Sequence, residues 1–327
     1  MDVPDRASAR ATAASTFRLD VKGAEVRAAL ERAGIRSVLL KGPAFARLLY
    51  RDARSRDYTD VDLLVDPARL ERAEEVLRAL GFQRFDPEAA VRRTDASVGR
   101  AVGVQGASHA TPWLHEQDSL IVDLHDSLPQ CGAQASAVWA ALAEHLVVEE
   151  IGGVATATLD RPASALLVAL HVAHHGPGWG SPERDLAAAI EMLDLDCWRA
   201  ARDLAVTLEA EAALGAGLGT SEPGREIAQL LSLPSEPTAA RRLQWDGAPW
   251  SASVLESLIT TRGIRHRTAI VARLLWPSPD ALRRGSTLAR RGPLGLLAAH
   301  ALRPIQLLAG LPAALRALRR SQSESLP

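Results

Sequence analysis

Two aspartates one residue apart open a short apolar segment of this chain. The segment reads Asp60-Val61-Asp62-Leu63-Leu64-Val65, and its composition is typical of a strand. Because successive strand side chains point to opposite faces, Asp60 and Asp62 share one face, roughly 6–7 Å apart. Converging carboxylates at that spacing can hold one or two divalent cations, which can clamp a phosphoryl group during in-line displacement. The pair therefore predicts a metal-dependent transferase that uses a nucleoside triphosphate.

A Lys-Gly-Pro turn precedes this pair. Ser37–Leu40 is an apolar run that predicts a buried strand, and Pro43–Tyr50 predicts a short helix. Glycine lets the backbone approach a phosphate closely, and a helix N-terminus presents N–H groups with a partial positive charge. Lys41 and Gly42 are therefore candidate nucleotide-binding residues. The alternative is an ordinary strand-to-helix turn with a solvent-exposed lysine.

Lysine is rare in this chain. Of the 38 basic residues only Lys22 and Lys41 are lysine, and the others are arginine. That one of the two stands beside the paired carboxylates favours a chemical role for Lys41. Arg56, four residues before Asp60, is predicted either to bind a triphosphate or to neutralise the acid pair.

A predicted β-hairpin supplies a third carboxylate. Its strands are Ser108–Leu114 and Ser119–His125, and the second carries Asp123. An isolated charge is costly to bury, so Asp123 needs a partner, and a metal shared with the paired aspartates would be one. The alternative is a strand-end aspartate bonded to a turn, and Asp126 is the second candidate acid. His125 shares the face of Asp123, where it either orients a carboxylate or substrate or is an ordinary strand-edge histidine.

The C-terminal half carries a histidine cluster at helical spacing. His171 and His175 are four residues apart, so they lie on one helix face at a spacing that can bind metal. Neither an HExxH glutamate nor a cysteine cluster accompanies them. Core or interface histidines are therefore the favoured interpretation.

These motifs, in this order, resemble a bacterial family of uncharacterised nucleotidyltransferases. The resemblance rests on Leu40-Lys41-Gly42, on Leu49-Tyr50, and on Arg56 followed by the Asp60–Val65 strand. The family belongs to the nucleotidyltransferase-fold superfamily, which includes polymerase β-like and aminoglycoside nucleotidyltransferases. In this chain Lys41-Gly42 stands where the wider superfamily has Gly-Ser. The serine hydroxyl that usually touches a phosphate is therefore absent.

The resemblance implies a fold, a set of catalytic acids and a metal. The expected fold class is α+β, with an N-terminal nucleotidyltransferase-fold mixed sheet and flanking helices, followed by a mostly α-helical C-terminal domain. A Val-Asp-Leu-His strand of the family matches this chain at Asp123. The resemblance therefore implies that Asp60, Asp62 and Asp123 are the catalytic, metal-binding residues. Mg²⁺ or Mn²⁺ is the expected cofactor, and a nucleoside triphosphate such as ATP is the expected co-substrate.

Candidate contacts to the acceptor come from three further residues. The family has a histidine-containing helix followed by an Asp-Leu pair, which this chain matches at His171 and at Asp185-Leu186. With His125, these residues are expected to touch the acceptor or to support the metal-binding side chains.

The predicted reaction is nucleotidyl transfer. A nucleoside monophosphate would pass from a nucleoside triphosphate to a hydroxyl or phosphate of a small-molecule or peptide acceptor, as in natural-product tailoring. Two alternatives stay open from the residues alone. One is sugar or phosphate transfer on the same metal scaffold. The other is a non-catalytic nucleotide-binding or antitoxin-like protein.

Composition narrows the class of protein. The 327 residues are 47% hydrophobic and 24% charged, which is ordinary for a soluble globular chain, and a net charge of −1 predicts no nucleic-acid partner. Cys131 and Cys197 lie far apart, which fits a reduced cytoplasmic protein. Residues 293–318 are apolar but are interrupted by charged residues and prolines, so no membrane span is expected.

Strand signals stop near residue 160, where a domain boundary is predicted. Residues 86–108 are predicted as a loop, and Gly, Ser and Pro clusters predict another loop over residues 218–240. The expected organisation is a frayed N-terminus over 1–20, a catalytic domain over 21–160, an α-helical domain over 161–320 and a disordered tail over 321–327.

Overall fold

The computed structural model of the protein describes residues 6–85, 110–245 and 291–323, with scattered positions between 246 and 290. The described residues up to 85 and from 110 to 236 form one compact unit, and those from 237 onward belong to a second. The predicted loop over 86–108 lies outside the described residues. Every candidate site residue belongs to the first unit.

A seven-stranded mixed sheet organises the first unit. Its strands are Ser37–Leu39 (β1), Asp60–Val65 (β2), Gln83–Arg84 (β3), Ala110–His115 (β4), Leu120–His125 (β5), Leu146–Ile151 (β6) and Val154–Leu159 (β7). Their spatial order is β3-β4-β5-β2-β1-β7-β6. Strand β2 runs antiparallel to β1 and parallel to β5. This mixed sheet, with its helices, confirms the predicted α+β class.

Helices account for most of the remaining described chain. They are Arg6–Arg32 (α1), Pro43–Leu49 (α2), Leu70–Ala79 (α3), Ala135–Ala143 (α4), Arg161–His175 (α5), Gly180–Met192 (α6), Leu195–Thr207 (α7), Glu211–Leu218 (α8), Glu222–Leu230 (α9), Ala239–Trp245 (α10) and Gly292–Ser323 (α11). Helix α5 begins as its sequence predicts, because the side chain of Asp160 accepts a hydrogen bond from the Ala163 N–H and Pro162 occupies the first turn.

Side chains along β1 and β2 alternate between two apolar cores. Leu39 and Leu63 pack on one face of the sheet with residues of α1 and α3. Val38 and Leu64 pack on the other face with residues of α5. The sheet is therefore covered by helices on both faces, and α5 belongs to one of these layers.

The same alternation directs the acids towards the α5 layer. Asp60 and Asp62 are spaced by even steps from Leu64, so they lie on the face that α5 covers. On β5 the neighbouring apolar residues pack on the α1 side. Asp123 and His125 therefore also lie on the α5 side of the sheet.

Helix α1 is longer than the sequence predicts. It begins at Arg6, so residues 6–20 of the predicted frayed terminus are helical. Leu19 is buried in the same apolar core as Leu30. Asp20 adds a second anchor, because its carboxylate accepts a 2.6 Å hydrogen bond from the Tyr58 hydroxyl. These tertiary contacts favour the helical conformation before residue 21.

Glycines in α8 mark a close helix contact. The predicted loop over residues 218–240 is wrong, since this segment contains α9 and the beginning of α10. A Cβ added to Gly217 would lie 2.1 Å from the Ala169 carbonyl oxygen of α5, and one on Gly215 would lie 2.2 Å from the Pro234 carbonyl oxygen. Glycine is needed here because backbones touch, not because the chain turns.

Helices α5 to α9 lie in the same compact unit as the sheet. The domain boundary near residue 160 stays a prediction. In the second unit, α11 contains Pro304 and Pro312 within its length. None of the described helices combines the length and apolar character needed to cross a membrane. Residues 321–323 of the predicted disordered tail are helical, and residues 324–327 lie outside the described residues.

Candidate active site

The three predicted acids lie on one face of two adjacent parallel strands. Asp62 of β2 stands directly opposite Asp123 of β5, and Asp60 pairs with Ile121. Asp62 is 3% exposed, whereas Asp60 and Asp123 are half-buried. The parallel pairing of β2 with β5 thus brings together three carboxylates that are distant in sequence.

Lys41 and His125 both contact Asp62. The Lys41 ammonium lies 2.8 Å from Asp62 Oδ1, and His125 Nε2 lies 3.0 Å from the same oxygen. Because a carboxylate oxygen only accepts, His125 carries a proton on Nε2 in this arrangement. Lys41 follows β1, which pairs with β2, so the sheet itself places the ammonium beside the acid.

Burial, and after it the charges of neighbouring groups, shifts the pKa values of the acids. Burial, and after it the charge of Asp62, raises the pKa of Asp60 to about 7. Burial and Asp62 also raise the pKa of Asp123. Burial opposes ionisation of Asp62 too, but Lys41 and His125 outweigh it and hold its pKa below the usual value. Lys41 therefore compensates one carboxylate, and two remain in excess.

This donor set fits a divalent cation. Asp62, Asp123 and His125 each offer one ligand atom, and these atoms lie within 4.8 Å of one another. Carboxylate oxygens are the ligands that suit Mg²⁺ and Mn²⁺. A cation would also supply the positive charge that Lys41 alone does not. Asp60 is not one of this group of three, and its predicted metal-binding role stays a prediction.

Gly42 follows Lys41 in a backbone conformation that requires glycine. Its φ of +61° and ψ of −116° are poorly accessible to residues with a Cβ. The Tyr58 ring lies 3.4 Å from where a Cβ would stand. The Gly42 carbonyl accepts a 3.3 Å hydrogen bond from Arg56 Nη1. The turn that presents Lys41 is thus fixed by its own backbone and by Arg56.

Arg56 is bound to Asp185 in a buried ion pair. Its Nε and Nη2 each donate to one carboxylate oxygen of Asp185 at 2.7 Å, with the two side chains 7% and 1% exposed. The Tyr50 hydroxyl donates a further 2.7 Å hydrogen bond to Asp185 Oδ1. The guanidinium also lies over the Phe45 ring. This Arg56–Asp185 cluster joins the Lys-Gly turn to helix α6.

The cluster was not foreseen from the sequence. Arg56 is predicted to act on a nucleotide and Asp185 on an acceptor, and both roles stay predictions, but the two side chains bond to each other. Residues 129 positions apart give no spacing signal. The one hint is Tyr50, which belongs to the motif that resembles the family although it had no predicted role.

His171 lies on α5, the helix that covers the acid face of the sheet. Its ring centroid is 4.8 Å from that of His175. Burial, and after it the charge of Lys41, holds the pKa of His171 well below its usual value. His171 is therefore close enough to the carboxylate site to feel its charges, and it is neutral at neutral pH.

A model of a family described as uncharacterised nucleotidyltransferase matches residues 6–222. The chain belongs to this family. The match runs from α1 to the beginning of α9 and so includes the sheet, the acids and the helices that carry His171 and Asp185. The resemblance that the motifs predict is thereby confirmed.

One solved structure similar to this chain is the solution structure of the antibiotic-resistance factor ANT(2'')-Ia. The two share 16% sequence identity, and the superposition covers 62% of this chain and 96% of that chain, with a TM-score of 0.40. No curated protein matches the chain. The family and the site geometry are therefore the basis of the functional proposal.

Proposed function

We propose that the protein is a metal-dependent nucleotidyltransferase. It would transfer a nucleoside monophosphate from a nucleoside triphosphate to a hydroxyl or phosphate of a small-molecule or peptide acceptor. The observation that carries the proposal is the placement of Asp62 opposite Asp123 on parallel strands, with Lys41 bonded to Asp62. The chain's membership of a nucleotidyltransferase family supports it.

The reaction forms one bond and breaks one. An acceptor oxygen attacks the α-phosphorus, the bond from that phosphorus to the oxygen bridging to the β-phosphate breaks, and pyrophosphate leaves. Asp123 is proposed to help accept the proton of the acceptor hydroxyl, since it is the third carboxylate on the shared face of β2 and β5. Mg²⁺ or Mn²⁺ held by Asp60, Asp62 and Asp123 would neutralise charge on the α-phosphate and the leaving pyrophosphate.

The triphosphate is assigned to the Lys41 side of the site. Lys41 offers a point charge, and Gly42 offers a backbone that approaches a phosphate without a Cβ. Arg56 contributes positive charge to the same end, while its hydrogen bonds to Gly42 and Asp185 hold the turn. Asp185 is 1% exposed, so its influence on the acceptor would pass through Arg56 and the position of α6.

The acceptor is proposed to be a small molecule or peptide, as in natural-product tailoring. A net charge of −1 gives the chain no field that would attract nucleic acid. His125, beside Asp62 and Asp123, is the nearest candidate to touch the acceptor. A reducing, cytoplasmic location fits the free thiols of Cys131 and Cys197.

Thermal unfolding with nucleoside triphosphates tests the proposal. We expect at least one triphosphate to raise the melting temperature of the full chain in the presence of Mg²⁺, because a ligand that binds only the folded state stabilises it. An Asp60→Asn, Asp62→Asn double variant should lose this response. Asp196→Asn, at an exposed site paired with Arg199, is the matched control and should keep it. If no triphosphate stabilises the wild type with or without Mg²⁺, the proposal fails.

Mass spectrometry of a modified acceptor separates the reaction classes. Incubation with a metabolite extract, a triphosphate and Mg²⁺ should add the mass of a nucleoside monophosphate to an acceptor. An added hexose or bare phosphate would instead assign sugar or phosphate transfer. Turnover that survives the double aspartate substitution would exclude the mechanism given above.

A further inference from the structure

Two histidines stand at the C-terminal end of α5, where Val172 and Ala173 pack in one apolar core with Leu40, the residue before Lys41. Burial, and after it the charge of Lys41, lowers the pKa of His171 and lowers that of His175 to about 4. The charge of Asp62 raises the pKa of both rings. His174 and His175 lower the pKa of His171, as Lys41 does. Helix α5 packs on the sheet face that carries the acids, and the charges of Lys41 and Asp62 act on both imidazoles.

Ring contacts hold these imidazoles in place. The rings of His171 and His175 meet edge to face at 80°, with centroids 4.8 Å apart, and the half-exposed Trp179 packs against His175 at 4.8 Å. The Nδ1 atom of His171 is buried and has no hydrogen-bond partner among the described residues. His174, between them in sequence, differs because its Nδ1 lies 3.3 Å from Gln130 Nε2.

A triphosphate entering this site needs more donors than Lys41 supplies. Lys41 is bonded to Asp62, and the guanidinium of Arg56 is bonded to Asp185 and Gly42. Three carboxylates face the incoming phosphates, and their charge repels a polyanion. The neutral imidazole of His171 can donate an N–H hydrogen bond from Nδ1 to a phosphate oxygen without first losing a partner, and His175 offers a second imidazole beside it.

We propose that His171 and His175, together with Lys41, form the subsite for the β- and γ-phosphates of the nucleoside triphosphate. The sequence predicted an acceptor contact for His171, whereas its proximity to Lys41 assigns it to the triphosphate. This inference rests on the proposed nucleotidyltransferase function and names the residues that replace the missing serine contact. The ligand class is a polyphosphate, and its negative charge favours the protonated imidazole, so binding should take up protons.

Calorimetric titration with inorganic tripolyphosphate tests this subsite. The full chain is first equilibrated with Mg²⁺, and the titration is repeated in two buffers of different ionisation enthalpy, which reports the protons taken up. His171→Phe and His175→Phe keep an aromatic ring but remove the donors. Each should weaken binding about tenfold or more, since hydrogen bonds to charged groups are among the strong ones. The double variant should also lose most of the proton uptake.

His115→Gln, on β4 and paired with Asp118, is the control and should leave both affinity and proton uptake near wild type. If a phenylalanine variant fails to fold, the corresponding His171→Leu or His175→Leu variant is used in its place. If the wild type binds tripolyphosphate and the His171 and His175 variants bind equally well with unchanged proton uptake, this inference is overturned while the proposed function stands. If the wild type is stabilised by a nucleoside triphosphate but does not bind tripolyphosphate with Mg²⁺, this inference is overturned and the proposed function stands. If neither ligand acts on the wild type, both are overturned.

Discussion

The Arg56–Asp185 cluster balances its buried charges, whereas the carboxylate site has more negative than positive groups. In the cluster, one guanidinium faces one carboxylate through two 2.7 Å hydrogen bonds, and Tyr50 adds a third bond to the same carboxylate. At the carboxylate site, three acids face a single ammonium, and burial together with the charge of Asp62 raises the pKa values of Asp60 and Asp123.

This difference in charge balance distinguishes a pair that stabilises the fold from a group of acids that can bind a cation. A buried ion pair whose charges match holds elements together and needs no further counter-ion. A buried group of acids with too little positive charge is unfavourable by itself, and a bound cation relieves it. The fold keeps both arrangements within one compact unit, so their responses to substitution can be compared directly.

Breaking the Arg56–Asp185 ion pair should have the largest effect on stability. Asp185→Asn leaves the Arg56 charge buried without its counter-ion, and we expect the free energy of unfolding to fall by about 3–5 kcal/mol. Urea denaturation measures it. The Arg56→Met, Asp185→Leu double variant, which removes both charges, should recover most of the loss. Asp196→Asn should cost under about 0.5 kcal/mol, because its partner Arg199 is exposed. If Asp185→Asn also cost less than about 0.5 kcal/mol, Arg56 and Asp185 would not be a stabilising buried ion pair.

Binding of a divalent cation at the carboxylate site should have the next largest effect on stability. Mn²⁺ at roughly 100 times its dissociation constant should stabilise the wild type by about 2.7 kcal/mol, the value expected for any ligand of the folded state. Asp62→Asn and Asp123→Asn each remove a ligand and should abolish this response, whereas Asp196→Asn should keep it. Calorimetric titration with Mn²⁺ measures the affinity. A response that persists in both variants would place the metal elsewhere.

Removing one acid from the carboxylate site should give a smaller, pH-dependent gain in stability. Burial and Asp62 raise the pKa of Asp60 from its ordinary 3.8 to about 7. Without metal, the stabilising contribution of the protonated carboxyl is complete below the unfolded pKa and is lost as the pH rises through about 7. Asp60→Asn should therefore stabilise the metal-free protein by about 2 kcal/mol near pH 8, with little gain near pH 4. Urea denaturation with a chelator at both pH values measures it, and equal gains would contradict the assigned cause.

Local sequence signals were sufficient for most of the sheet. Strand β2 has the predicted bounds, because its paired acids and its apolar residues mark it locally. The segment after residue 218 differs from the loop prediction because its glycines lie against the backbone carbonyl groups of Ser235 and Leu218, a packing that no local pattern distinguishes from a turn. Residues 6–20 were misread because their helix depends on tertiary anchors such as Leu19.

The site shows the same division. The shared face of Asp60 and Asp62 follows from strand geometry, and the position of Asp123 beside them follows from the parallel pairing of β2 with β5. The Arg56–Asp185 pair could not be predicted, because it depends on how α6 packs against the turn after β1. The proximity of His171 to Lys41 likewise depends on how α5 lies across the sheet.

The helical layer on the α5 side of the sheet also determines which fragment of the chain can be produced by itself. Val38, Leu40 and Leu64 are buried against residues of α5 and its neighbouring helices. A fragment that ended at residue 160 would expose this apolar face to water, and large exposed apolar surfaces promote aggregation. A fragment prepared for crystallisation or for variant libraries should therefore extend through residue 236, where the compact unit ends.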